Sequence, residues 1–262
     1  MDGLRGTCQL RGIKLMNNPI LSLLKTGIIT QKDLFPDLTE DANGLPALTQ
    51  TPCKGTDCSK CVNVCPMKAI TLSDGIVTLD RGRCLGCNAC VAICPSGTVV
   101  ADRSTRTAVR TREELILSNI PRPTAVSTKA KHPFHRSLHV REVATGDSAC
   151  DLEVIASTNS IFDIARFGIH FVASPRFADA LLVTGPVGRA MQEPLRRCYD
   201  AMADPRIVIA AGVSAICGGI YAAGYAEANG VSSILPVSVY IPGDAPHPWS
   251  IIHGLLIAMG RI

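Results

Sequence analysis

The sequence predicts a small α+β domain followed by a larger α/β domain built on a parallel sheet, and three observations predict it. Eight of the 12 cysteines crowd between residues 53 and 94 in two similar runs. Short unbroken apolar strings, ALLVT at 180–184 and IVIAA at 207–211, mark strands buried on both faces, as in parallel sheets. Between these two textures runs 103–144, rich in arginine and broken by Pro121, Pro123 and Pro133. The predicted order is therefore a leader or docking segment (1–48), a cysteine domain (49–102), a basic linker (103–144) and an α/β domain (145–262).

Composition narrows the class. At 262 residues with 47% hydrophobic content, the chain can bury real cores. No apolar run approaches the roughly 18–20 residues of a membrane span. The start, MDGLRGTCQLRGIKL, lacks an apolar signal core, so a soluble intracellular chain is expected. Formal charge is +4, and residues 101–142 hold 9 basic against 4 acidic groups, the main excess. That stretch has no interleaved aromatics and no helical stripe of Arg and Lys, so nucleic-acid binding is not predicted. One short helix is expected near Thr111–Ser118. His132, His135 and His139 read as solvated, because Pro133 interrupts any shared helical face.

The cysteine runs carry the chemistry. The first reads Cys53-KGTD-Cys58-SK-Cys61-VNV-Cys65-Pro66, the second Cys84-LG-Cys87-NA-Cys90-VAI-Cys94-Pro95. The second fits the two-cluster bacterial ferredoxin spacing residue for residue, and the first differs only in a longer opening gap. Three close thiolates wrap three corners of a 4Fe–4S cube, and the fourth, set before a proline, reaches the other cube. Cys53, Cys58, Cys61 and Cys94 are thus assigned to cluster 1, and Cys84, Cys87, Cys90 and Cys65 to cluster 2. A disulfide scaffold belongs to secreted chains, and zinc sites do not need two such runs. Each run leads into a β-type stretch, Ala69–Leu72 and Thr98–Ala101, and Ser73-Asp74-Gly75 turns the chain into Ile76–Asp80.

In the second half, strands are expected at Ile169–Ala173, Ala180–Thr184, Arg206–Ala211 and Val237–Ile241. Helices are expected at Cys150–Ala156, Met191–Ala203, Ser214–Glu227 and His247–Gly260. Functional loops in such a flavodoxin-like sheet sit at the carboxyl ends of the strands. There is no Rossmann glycine fingerprint and no P-loop lysine, so neither NAD nor flavin nor nucleotide is predicted in this chain.

Residues 145–262 carry SPRFADALLVTGPVGRAM and VYIPG, and resemble the small subunit of group 4, membrane-bound NiFe-hydrogenases, a superfamily that includes the cluster-N2 subunit of complex I. The leader LLKTGIITQKDLFP and the cysteine runs resemble the polyferredoxin partner of the same complexes. The resemblance implies a proximal 4Fe–4S cluster held by a C-x2-C pair, a G-x-C loop and a PGC loop. At those positions stand Asp147, Cys150, Ser214 and Asp244. One thiolate of four remains, and three hard oxygen ligands suit a soft iron–sulfur cube poorly. Cys217, one helical turn beyond Ser214, could restore one ligand. The third cluster is therefore expected to be absent, with Asp147, Asp244 and Glu153 left either as a proton-handling pocket or as drift.

The expected function is an electron-transfer or structural subunit of a hydrogenase-related, complex I-like oxidoreductase complex, with catalysis in a separate large subunit. The implied partners are that large subunit, membrane subunits and a soluble electron donor. The chain is expected to sit peripherally on the inner face of the cytoplasmic membrane. Two alternatives stand beside this one: an active hydrogenase small subunit with an unusual third cluster, and a non-redox scaffold coupled to ion translocation.

Overall fold

The computed structural model describes residues 33–53, 58–120, 133–146 and 148–262. The chain divides into two compact units, Met1–Leu34 and Phe35–Ile262. Residues 1–32 of the predicted leader, Cys8 among them, lie outside the described residues, as does Asp147.

The cysteine domain opens with β1 (Leu45–Leu48), which already lies within the predicted leader. It continues through α1 (Lys60–Val64), β2 (Ile70–Ser73), β3 (Ile76–Asp80), α2 (Ala89–Ile93) and β4 (Val99–Asp102). Strand β1 pairs antiparallel with β4, and β2 with β3. The β2–β3 hairpin turns on Asp74 and Gly75, both at positive φ (51° and 77°), the geometry that an Asp-Gly pair adopts readily.

The expected linker is largely structure. The helix predicted near Thr111–Ser118 is instead a single 3-10 turn, Glu113–Leu115, running into β5 (Ile116–Ser118), which pairs antiparallel with β3. The edge of β3 offers a row of backbone partners, and that pairing outweighs the helical preference of TREELIL. Residues 105–112 strap the cysteine domain to the next one. Val109 and Tyr240 exchange backbone hydrogen bonds of 2.9 and 2.8 Å. The Thr105 carbonyl accepts from Ser250 Oγ at 2.9 Å, and the Ala108 N–H donates to His253 Nδ1 at 3.3 Å. Burial and the nearby Arg106 push the His253 pKa down to about 4, which keeps the ring neutral and its Nδ1 free to accept. Arg112 grips Asp80 with both guanidinium nitrogens, the two side chains 27% and 20% exposed.

The α/β domain starts earlier than predicted, with β6 (Leu138–Ala144). It proceeds through α3 (Cys150–Ser157), β7 (Ile169–Phe171), β8 (Ala180–Thr184), α4 (Arg189–Asp200), β9 (Ile207–Ala211), α5 (Val213–Cys217), β10 (Val239–Ile241) and α6 (Pro248–Ala258). All five strands run parallel in the order β10-β9-β8-β6-β7, the flavodoxin-like arrangement. The long helix predicted at Ser214–Glu227 stops at Cys217, because Gly218 and Gly219 take positive φ (87° and 57°).

Strands β8 and β9 are buried at every position. One face packs on α3 and α6, with Leu182, Ile209, Ile251 and Leu255 at 0% exposure. The other packs on α4 and α5 through Leu181, Val183 and Leu195. Helix α6 is apolar nearly all round, and Trp249 meets Phe35 and Phe162 edge-on. No helix among the described residues is long and apolar enough to cross a membrane.

Replacing Arg112 by Ala leaves the Asp80 carboxylate mostly buried and short of its main partner. We expect a loss of about 1–3 kcal/mol, read as a lower urea midpoint, with part of it recovered in the Arg112→Ala, Asp80→Asn double variant.

Candidate iron–sulfur site and the rear loops

Each cysteine run is shaped by the proline behind it. A residue before proline is steered out of the helical region. Cys65 therefore ends α1 in extended backbone (φ −76°, ψ 110°), and Cys94 ends α2 the same way (φ −74°, ψ 111°). The near-identity of these angles is the structural form of the sequence duplication. Each of the two sulfurs then accepts a backbone N–H, Cys65 from Ala69 at 3.3 Å and Cys94 from Val99 at 3.5 Å. The Cys84 sulfur accepts from Gly86 at 3.4 Å.

The thiols group crosswise. Burial pushes the Cys61 thiol up, and the neighbouring Cys53 and Cys94 add to the rise. Burial likewise pushes Cys84 and Cys90 up to about 11, with Cys65 and Cys87 adding to both. At Cys94 burial raises the thiol, but the hydrogen bonds from Val99 and Ser96 outweigh it and the net shift is downward. A small apolar cavity is lined by Cys65, Cys84, Cys87 and Cys90 together, with Ile70 and Leu79 behind them. Cys58 is half-buried, and the loop before it, 54–57, lies outside the described residues. Soft thiol donors around a small apolar chamber, with amides aimed at sulfur, suit a cubane cluster.

In the rear domain, Cys150 opens α3 fully buried, and Asp244 lies in the loop after β10. Burial pushes the Cys150 thiol up to about 11, and Asp244 and Asp151 add to it. Burial also raises the carboxyls of Asp244 and Glu153. Gly212 packs against both elements: a Cβ there would strike Cys150 Sγ and lie 3.5 Å from the Gly243 carbonyl. Ser214 is buried on α5, its hydroxyl directly beneath Gly219. Cys217 lies towards the cysteine domain, among Arg83, Arg112 and Asp80. Cys198 packs partly buried against the α4 side of the core.

Comparison with known proteins matches this division of the chain. Residues 148–258 match the family NADH ubiquinone oxidoreductase, 20 Kd subunit, and residues 53–98 match the 4Fe-4S dicluster domain. An uncharacterised protein of Methanocaldococcus jannaschii, MJ0516, is 42% identical over 122 residues, covering 46% of this chain and 82% of that one. The chain belongs to the 20 Kd subunit family. Two further relatives are formate hydrogenlyase subunit 7 of Escherichia coli (42% identical over 128 residues, 48% of this chain) and an NADH-quinone oxidoreductase subunit of Phocaeicola vulgatus (46% over 110 residues, 42% of this chain). This 20 Kd family chain spans 50% and 56% of their lengths. Among solved structures, a chain of the archaeal membrane-bound sulfane sulfur reductase complex aligns at 30% identity and TM-score 0.43, covering 49% of this chain and 72% of that one. A chain of an NAD+-reducing [NiFe]-hydrogenase aligns at 19% and 0.36, covering 47% and 93%. The fold assignment rests on the sheet order above, not on these superpositions.

Sequence reasoning missed one charged cluster. Glu142, placed in a linker by the sequence, lies on β6 beyond the three residues that β7 pairs. Glu142 Oε1, Arg141 Nε and Asp151 Oδ1 are buried without hydrogen-bond partners among the described residues and share one open cavity. Burial first, and Asp151 second, push the Glu142 carboxyl up to about 7, partly offset by Arg141. Its ionised form is disfavoured in the fold, so its contribution is intact at low pH and lost as pH rises from about 4.5 through 7. We expect native stability to fall by up to about 2 kcal/mol across that window, after allowance for solvent screening, and Glu142→Gln to flatten the slope in urea unfolding.

Proposed function

We propose that this chain is an electron-transfer subunit of a membrane-associated, complex I-like and hydrogenase-related oxidoreductase complex. The observation that carries the reading is that Cys65 of the first run lines one cavity with Cys84, Cys87 and Cys90 of the second. Cys53, Cys58, Cys61 and Cys94 would hold one 4Fe–4S cube, and Cys65, Cys84, Cys87 and Cys90 the other. Each cube, when bound, takes up and releases one electron. The amides of Ala69, Gly86 and Val99 stabilise negative charge on sulfur, and Ile70 and Leu79 give the second group an apolar backing. Because Cys61, Cys84 and Cys90 are protonated when free, loading releases their protons.

The rear position is read as degenerate. Cys150 is its remaining thiol, and Ser214 and Asp244 offer oxygen, as does Asp147 in the sequence. A large subunit carries the catalytic centre in this reading, and further subunits hold the complex to the inner face of the membrane.

Metal counting on anaerobically purified complex tests it. We expect about eight iron and about eight acid-labile sulfide per chain, against about twelve for a third cube. The combined variant Asp147→Cys, Ser214→Cys, Asp244→Cys is expected to raise iron to about twelve. An unaltered count in that variant refutes the placement of the rear site. A native count of twelve, with a third paramagnetic centre, refutes its loss.

A further inference from the structure

Where the two domains meet the strap, a cleft of about 330 Å3 stands open to solvent. On one side it is walled by Leu85 and Gly86, the two residues between Cys84 and Cys87. On the other lie Asp244 and His247, in the loop after β10, with Glu153 of α3 beside them. It therefore sits at the carboxyl ends of the parallel strands, where sheets of this kind bind ligands.

Three features bear on what fits there. Among the described residues no lysine or arginine lines the cleft, so its two carboxylates face an otherwise uncharged wall. His247 adds no positive charge: burial lowers its pKa, and its Nδ1 accepts the Trp249 N–H at 3.2 Å. Thr107, 7% exposed, also lines the cleft, and its buried hydroxyl has no hydrogen-bond partner among the described residues. An orphaned hydroxyl in a polar cleft is a group waiting for a ligand atom or an ordered water.

The wall towards the cysteines is thin. Gly86 takes a positive φ of 73° and carries no side chain, and its amide points at Cys84 Sγ. Electron transfer weakens steeply with distance, so a carrier seated against Gly86 exchanges electrons with a cluster at Cys65, Cys84, Cys87 and Cys90 more readily than one held elsewhere. We propose that this cleft takes a small cationic one-electron carrier and passes electrons between it and cluster 2. The inference rests on the two-cluster reading above and extends it. It gives cluster 2 an outlet at the rear loops, where the loss of thiolates leaves no onward cluster. With a cluster held by Cys65, Cys84, Cys87 and Cys90, one electron would pass from the carrier's radical cation to the oxidised cluster, with no bond formed and no proton moved.

The test uses the intact complex and two viologens of similar driving force. One is the methyl viologen radical cation, the other the reduced bis(sulfonatopropyl) viologen, which carries net negative charge. Stopped-flow spectra follow reduction of the clusters by each at low salt. We expect methyl viologen to react about tenfold faster or more, and the preference to collapse at high salt. Asp244→Asn with Glu153→Gln removes the preference, while Ala245→Trp slows both carriers by filling the cleft. Calorimetric binding of oxidised methyl viologen to the native complex, lost in the double variant, reports the site without electron transfer. Equal rates for the two carriers in the native complex overturn the proposal, as does a preference that survives Asp244→Asn with Glu153→Gln. Iron counted on every sample separates the two levels: a native count short of eight removes the two-cluster reading and this inference with it. A full count without charge preference removes only the cleft.

Discussion

The geometry of the front half depends on a single backbone constraint, the exclusion of helical conformation from the residue before proline. Without Pro66 and Pro95, α1 and α2 could run on past Cys65 and Cys94, and each fourth thiol would stay with its own run. Instead the chain leaves the helix at matched angles, and each sulfur is delivered to the other run's neighbourhood. Two local steric clashes thereby make one interlocked body from two short repeats. The apolar residues between them, Ile70, Val77, Leu79 and Val99, form a small core of the same body. A core of that size is marginal alone. Iron–sulfur clusters that bind the folded thiol set, and not the unfolded chain, would supply stability that hydrophobic burial does not.

The strap determines what the front half can do for the rear. A flexible linker would let the cysteine domain sample many distances from the α/β domain, and electron transfer would follow the rare close encounters. Here residues 105–112 are bonded to α6 and to β10, and Arg112 closes the connection on Asp80. The excess positive charge of this stretch is consequently spent partly on fixed ion pairs. Arg81 shows the same logic at the other edge of the cysteine domain, bonding Asp102 at 2.7 Å and the Pro46 carbonyl at 3.0 Å.

What was legible in the sequence follows from how local each constraint is. Thiol spacing and Asp-Gly turn chemistry act within a few residues, so the runs and the hairpin at Asp74-Gly75 could be read directly. ALLVT appeared at its predicted bounds because a strand buried on both faces admits only apolar residues. β6 escaped notice because LHVREVA mixes Arg141 and Glu142 into a central strand, and only the shortness of β7 makes room for them. The 111–118 segment failed for the opposite reason. Its local pattern favours helix, and a partner strand distant in sequence decided otherwise. The fourteen-residue helix expected after Ser214 overlooked Gly218-Gly219, a pair that ends a helix more reliably than the following apolar residues extend it.

The rear loops separate what packing requires from what it leaves free. The sheet, the Gly212 contact with Cys150 and the turn at Gly243 are requirements of packing, and they are in place. The donor atoms that the loops present are not needed for packing, and they can change without disturbing it. A buried thiol beside a buried carboxyl holds together only while both stay protonated or a cation joins them, and burial raises both Cys150 and Asp244. Negative charge in the rear pocket is thus costly unless a cation offsets it. The polar cleft beside Gly86 is the open space that these loops leave.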